Sequence, residues 1–171
     1  MSKEKNDLLF EKLQEYFQDQ DHFLIFKNTT SGKSCISLRL LDYFITSYAK
    51  QKDVCYPLKG DPFHVYNSYK SQLKAYSKKH LDPFCRRERT ELLNRNCNES
   101  IITTIGQMNL FRWVIESNII EYINANIHDI ETTMKCELTN PHKRSRKKGK
   151  KEVQEHITDT PQTEKIFVVS F

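Results

Sequence analysis

Gly32-Lys33-Ser34 is the first string in this sequence whose residue types could do chemistry, because Gly-Lys-Ser ends the phosphate-binding loop of many nucleotide-binding proteins. A complete loop of that kind has another glycine five residues before Gly32, and that position holds Lys27. Because the pattern is incomplete, we expect an ordinary polar turn here and no nucleotide site.

Residues that often bind metals or act as nucleophiles are scattered along the chain. No two of the five cysteines form a Cys-x-x-Cys pair, and no spacing matches a compact zinc finger. The scattered candidates are His80, Cys85, Cys97, Cys136 and His142. No local motif diagnostic of an active site is present either. The sequence therefore predicts a protein that is not an enzyme, holds no metal or cofactor, and keeps its thiols reduced.

A run of lysines at four-residue spacing is more informative. Lys70, Lys74 and Lys78 would form a stripe about 12 Å long on one helix. Further cations follow at once, and the predicted nucleic-acid-binding residues of this region are Lys70, Lys74, Lys78, Lys79, Arg86 and Arg87. The stripe is interpreted as a surface for phosphates. The alternative is a solvated helix face that acidic residues elsewhere in the fold neutralise.

The same predicted helix carries three tyrosines, Tyr66, Tyr69 and Tyr76. Aromatic rings beside cations could stack on exposed bases. Their helical spacing favours packing in the core instead.

A second cluster of cations lies near the end of the sequence and contains Lys143, Arg144, Arg146, Lys147, Lys148, Lys150 and Lys151. We call residues 143–151 the basic segment. Its composition predicts a flexible stretch, because it offers almost no apolar surface to bury. It is interpreted as a nucleic-acid arm or a nuclear import signal, and a purely solubilising tail is the third alternative.

Charge is segregated along the 171 residues, although the net charge is only +5. Residues 66–89 hold seven basic and two acidic side chains, and residues 141–151 hold seven basic and none acidic. Residues 90–140 are net acidic. This asymmetry favours a polyanion as partner. No apolar run approaches the roughly 20 residues that span a bilayer, so we expect an intracellular soluble protein with no membrane partner.

Periodicity and capping signals predict five helices. They are expected at about residues 6–18, from Ser34 or Ser37 to about 50, from Asp61-Pro62 to before Asp82-Pro83, from Thr103 or Thr104 to about 116, and from about 118 to Asn140. Short strands are expected at 22–26 and 166–171, which would pair with each other, and a small hairpin within 86–102.

These elements predict a mainly α fold, a compact bundle of about five helices with a minor β element. Four regions follow from the composition. Residues 1–34 are an N-terminal helix, strand and loop packed on the core, and residues 35–140 are the helical core domain. Residues 141–165 are a flexible basic and then acidic segment, and residues 166–171 are a terminal strand.

Four strings resemble a family of small, basic, largely uncharacterised proteins of the nucleocytoplasmic large DNA viruses. They are residues 36–44 (ISLRLLDYF), 66–79 (YNSYKSQLKAYSKK), 82–87 (DPFCRR) and 103–113 (TTIGQMNLFRW). The resemblance spans roughly residues 35–151. It implies a viral protein that serves the genome, its expression or its packaging. It carries no assigned active site.

Together these observations predict a non-catalytic viral protein that binds the phosphates of nucleic acid. DNA is favoured over RNA as the partner. The expected locations are the cytoplasmic virus factory or the nucleus of the host cell, and the virion. The alternative is a structural or adaptor protein of a virion or a viral transcription assembly. Its cations would dock on an acidic protein, and other viral proteins would be its partners.

Overall fold

The computed structural model of the protein describes residues 3–86 and 88–139. The helices in this part are α1 (Lys3–Tyr16), α2 (Gln20–Thr30), α3 (Leu38–Tyr43), α4 (Ala49–Gln51), α5 (Val65–Tyr76), α6 (Ile105–Glu116) and α7 (Ile119–Thr139). A π-helical turn (Phe44–Tyr48) joins α3 to α4, so six separate helices stand against the five predicted. The mainly α class is confirmed.

Two antiparallel hairpins complete the described fold. The first pairs β1 (Cys55–Leu58) with β2 (Asp61–His64), and the second pairs β3 (Thr90–Asn94) with β4 (Glu99–Thr103). The hairpin predicted within 86–102 is confirmed. The chain divides into two compact units, Met1–Lys135 and Cys136–Phe171. Of the second unit, only the end of α7 is described.

Side-chain caps start three of the helices. The Asp19 side chain accepts hydrogen bonds from the amides of Asp21 and His22, each at 3.0 Å. The hydroxyls of Ser37 and Thr104 each accept an amide hydrogen bond at 3.1 Å, at the starts of α3 and α6. Such caps stabilise a helix start by about 1 kcal/mol. The starts predicted at Ser37 and Thr104 are confirmed.

The strand predicted at residues 22–26 is wrong, because this run lies inside α2. Phe23 and Phe26 are spaced as on a helix, and both are fully buried. Short apolar runs do not distinguish a strand from a helix, and the Asp19 cap decides for a helix here. The described residues therefore hold no strand at 22–26 for residues 166–171 to pair with. The terminal strand itself lies outside the described residues.

The helix predicted to start at Asp61-Pro62 is also wrong in its first turn. Residues 61–64 form β2, and α5 begins at Val65. Lys59 and Gly60 have φ values of 53° and 95°, which close a tight hairpin turn, and Tyr56 packs against Phe63 across the strands at 5.4 Å. Asp61 and Pro62 therefore begin a strand of the hairpin and do not start a helix.

The core gathers residues from both ends of the described chain. Phe26 packs between Phe17 and Phe111, with ring centroids 4.9 and 4.8 Å away. The side chain of Asn94 donates a hydrogen bond to the Phe17 carbonyl at 2.8 Å and docks the second hairpin against the end of α1. These contacts join α1 and α2 to α6 and to the second hairpin.

Helix α7 uses its isoleucine stripe for the core. Ile120, Ile123 and Ile130 are buried, and Ile127 and Met134 pack against the same cluster. The stripe therefore serves ordinary core packing, as predicted. The helix bends at Asn126, whose backbone leaves the helical region. The predicted stop at Asn140-Pro141 lies outside the described residues, and α7 is described to Thr139.

Candidate nucleic-acid interface

The end of α5 decides where the predicted lysine stripe can lie. The helix stops at Tyr76, and Ser77 has φ 62° and ψ 165°. A 3₁₀ turn, Lys78–His80, follows. The stripe predicted for one helix is therefore wrong for Lys78, which lies beyond the helix end. Lys70 and Lys74 remain one turn apart on α5.

Lys70, Lys74, Lys78 and Lys79 are all exposed, as the sequence predicts. Lys50, at the end of the neighbouring helix α4, is exposed too. We call Lys50, Lys70, Lys74, Lys78 and Lys79 the lysine group. Three elements carry these lysines, namely α4, α5 and the 3₁₀ turn, and α5 packs against the other two. The group is therefore built around α5.

Tyr66 links two members of this group. The Nζ atom of Lys50 lies 5.4 Å from the centre of the Tyr66 ring, and that of Lys70 lies 5.6 Å from it. Both distances are within the range of cation–π contacts. Lys50 was missed by the sequence analysis. The one available signal was its position at the predicted end of the second helix, because its approach to Tyr66 depends on the packing of α4 on α5.

The lysine group has little local neutralisation. Among the described residues, no ion pair involves Lys50, Lys70, Lys74, Lys78 or Lys79. Lys27, in contrast, pairs with Glu99 at 2.6 Å. Burial raises the pKa of the Asp42 carboxyl, and the charge of Lys78 partly opposes this rise from longer range. The group is thus positively charged, least so at Lys78.

Arg86, the next predicted phosphate-binding residue, is exposed but forms an ion pair with Asp82. Its Nη2 and Nε donate to the two carboxylate oxygens of Asp82 at 2.7 and 3.2 Å, and its guanidinium lies 4.7 Å from the Phe84 ring. The hydrogen bond to Asp82 raises the pKa of Arg86. The geometry of Arg86 therefore fits the alternative interpretation, in which an acidic residue neutralises the cation, better than it fits a free phosphate-binding residue.

Asp42 lies in the same neighbourhood and adds a second carboxyl. Burial raises its pKa, and the nearby Asp82 raises it further, whereas Arg86 and Lys78 lower it. Two carboxyls, those of Asp42 and Asp82, thus lie near Lys78 and Arg86. The positive charges of Lys50, Lys70 and Lys74 are less neutralised.

The remaining predicted site residues are Arg87 and the basic segment. Both lie outside the described residues. Their part in binding stays a prediction from charge alone.

The Gly32-Lys33-Ser34 string lies at the C-terminal end of α2, between that helix and α3. The amides of Lys33 and Ser34 both donate to the carbonyl of Asn28, at 2.9 and 3.1 Å. In a phosphate-binding loop these amides would point to the phosphate, and the N-terminal end of a helix would face it. Here the carbonyl end of α2 is the neighbour, which repels an anion.

We therefore expect no specific binding of ATP or GTP at this turn. Titration calorimetry with magnesium and either nucleotide should give only heats of dilution, for the wild type and for Lys33→Ala alike. A saturable signal that Lys33→Ala removes would contradict this prediction.

Metal ligands are not assembled in the described part of the chain, where no group of three or more His, Cys, Asp or Glu side chains could hold an ion. Among the helices described, none combines the length and apolar character needed to cross a bilayer.

Comparison with known proteins places the chain among uncharacterised relatives. The family described as a family of unknown function (DUF7197) matches residues 1–168. A protein of Acanthamoeba polyphaga mimivirus, "Uncharacterized protein L507", is 32% identical over 168 residues. That match covers 90% of this chain and 64% of the relative's length. No solved structure matches. The resemblance to a giant-virus family is thus confirmed.

Proposed function

The chain belongs to DUF7197, a family of unknown function, and we propose that it is a non-catalytic viral nucleic-acid-binding protein that contacts phosphates through the lysine group. The observation that carries the proposal is the exposure of Lys50, Lys70 and Lys74 without an ion pair among the described residues. Exposed, unpaired cations gain binding free energy when they displace counterions from a polyanion.

The charge distribution supports the same function. The net acidic stretch at 90–140 does not pair with these lysines at contact distance within the described residues. The basic segment adds seven further cations as a candidate arm. The proposal extends to DNA as the first candidate partner and to genome packaging or expression as the setting, in the virus factory, the nucleus or the virion.

The test is a double charge reversal, Lys70→Glu with Lys74→Glu. Because each lost phosphate contact lowers the slope of log affinity against log salt by about one unit, the slope should fall by about two. Fluorescence anisotropy with a labelled oligonucleotide across a salt series measures it. Both side chains are exposed, so the melting temperature should stay nearly unchanged.

A matched control changes the same number of charges elsewhere. Lys12 and Arg95 are exposed on α1 and on the turn of the second hairpin, and Lys12→Glu with Arg95→Glu should leave the slope near its wild-type value. An unchanged slope in the α5 variant would overturn the proposal. Binding to an acidic peptide in place of the oligonucleotide would favour the adaptor alternative.

A further inference from the structure

The three tyrosines of α5 have different surroundings. Tyr69 is only 7% exposed and belongs to the core. The hydroxyl of Tyr76 accepts a hydrogen bond from Arg112 Nη2 at 3.2 Å. Tyr66 is partly exposed, and its ring lies beside two cations of the lysine group, Lys50 and Lys70. Only Tyr66 of these three therefore offers an aromatic surface beside open positive charge.

Tyr66 is both partly buried and partly exposed. It lies in the first turn of α5 and packs against the hydrophobic core. The cations of Lys50 and Lys70 approach it from two different helices. An exposed cation–π contact is weak, so each ammonium can exchange it for a phosphate at little cost.

We propose that Tyr66 is a stacking platform for an unpaired base, with Lys50 and Lys70 binding phosphates beside it, so that the ligand is single-stranded nucleic acid. The inference rests on the proposed function and adds the class of ligand. The faces of a base are free for an aromatic ring only when the strand is unpaired, because in a duplex the neighbouring base pairs cover them. Aromatic side chains beside cations bind single strands in this way without reading sequence.

The first experiment separates stacking from charge. Tyr66→Ala and Tyr66→Phe are compared for binding to an oligothymidylate, to an abasic strand of the same length and to a duplex. Removing the ring should weaken oligothymidylate binding by about tenfold, whereas phenylalanine, which keeps the ring, should stay within about twofold of wild type. The abasic strand and the duplex should bind both variants as they bind the wild type.

A second measurement detects stacking directly and does not depend on the alanine variant folding well. In Tyr66→Trp, oligothymidylate should quench the new indole fluorescence, and the abasic strand should not. The wild-type chain is the control, because its single tryptophan, Trp113, is 5% exposed. Its fluorescence should not respond to either strand.

The outcomes of these experiments test base stacking on Tyr66 separately from nucleic-acid binding. If Tyr66→Ala weakens all three ligands equally, or if the Tyr66→Trp signal is not quenched, stacking is wrong while phosphate binding stands. If duplex binds more tightly than oligothymidylate in the wild type, the single-strand assignment is wrong. If no nucleic acid binds the wild-type chain at low salt, the proposed function itself fails.

Discussion

Replacing Gly106 by alanine is expected to destabilise the protein by about 2 kcal/mol, although the helix preference of alanine alone favours the change by about 1 kcal/mol. A Cβ atom at this position would lie 2.6 Å from the Lys79 carbonyl oxygen and 3.5 Å from the His80 Cα. Both are backbone atoms and cannot rotate away. The close crossing of α6 and the 3₁₀ turn would have to open.

This crossing also holds the turn that carries part of the lysine group. The side chain of Asn109, one turn along α6, donates a hydrogen bond to the His80 carbonyl at 3.0 Å. Gly106 thus allows the 3₁₀ turn to approach α6 closely, and Asn109 holds it there by a hydrogen bond. A larger residue at position 106 should loosen Lys78 and Lys79 as well as lower stability.

Urea unfolding of Gly106→Ala checks the prediction, with Gly60→Ala as the control. Gly60 lies in the turn of the first hairpin at φ +95°, and a Cβ there would meet no atom within 4 Å. Its replacement should cost only the backbone strain, about 1 kcal/mol. A Gly106→Ala variant at least as stable as the wild type would mean that the 3₁₀ turn shifts freely, and the prediction would be wrong.

The sequence was a good guide wherever local chemistry decides the structure. Ser37 and Thr104 cap helices because their hydroxyls accept an amide hydrogen bond one turn later, a property of a few consecutive residues. The isoleucines of α7 were correctly assigned to the core by their spacing alone. The second hairpin was predicted from an irregular stretch between two helices.

The two incorrect element predictions concern segments whose local sequence is compatible with either a helix or a strand. The run His22 to Phe26 is short and apolar, and the Asp19 cap that makes it helical lies before the run. Asp61-Pro62 favours a helix start in isolation, but the Lys59-Gly60 turn pairs it with residues 57 and 58 as β2. Gly60, which suits the positive φ of a hairpin turn, was the available signal for this hairpin.

The candidate site was predicted only in part, because its electrostatics depend on residues far apart in the sequence. The exposure of Lys70 and Lys74 follows from their helical spacing. The contribution of Lys50, and the carboxyl of Asp42 near Lys78 and Arg86, depend on how α3 and α4 pack. The spacing of residues along the sequence does not predict contacts between residues so far apart in it.

Neutralising the basic segment should cause the largest loss of nucleic-acid binding. Its seven Lys and Arg residues are replaced by glutamine, so that the length of the chain is kept. If each contacts a phosphate, the slope of log affinity against log salt falls by up to about six on duplex DNA and about five on a single strand. Neither the native cations nor the glutamines offer much apolar surface to bury, so the melting temperature should be nearly unchanged.

A variant that keeps all seven charges but scrambles the order of residues 143–151 is the control, because counterion release depends on charge and not on sequence. It should bind as the wild type does. The neutralised variant should keep the part of the slope that the lysine group contributes. Lys70→Glu with Lys74→Glu should then lower that residual slope by about two, since the two clusters would contact different phosphates. Unchanged affinity after neutralisation would exclude the segment as a binding arm and leave the lysine group as the whole interface.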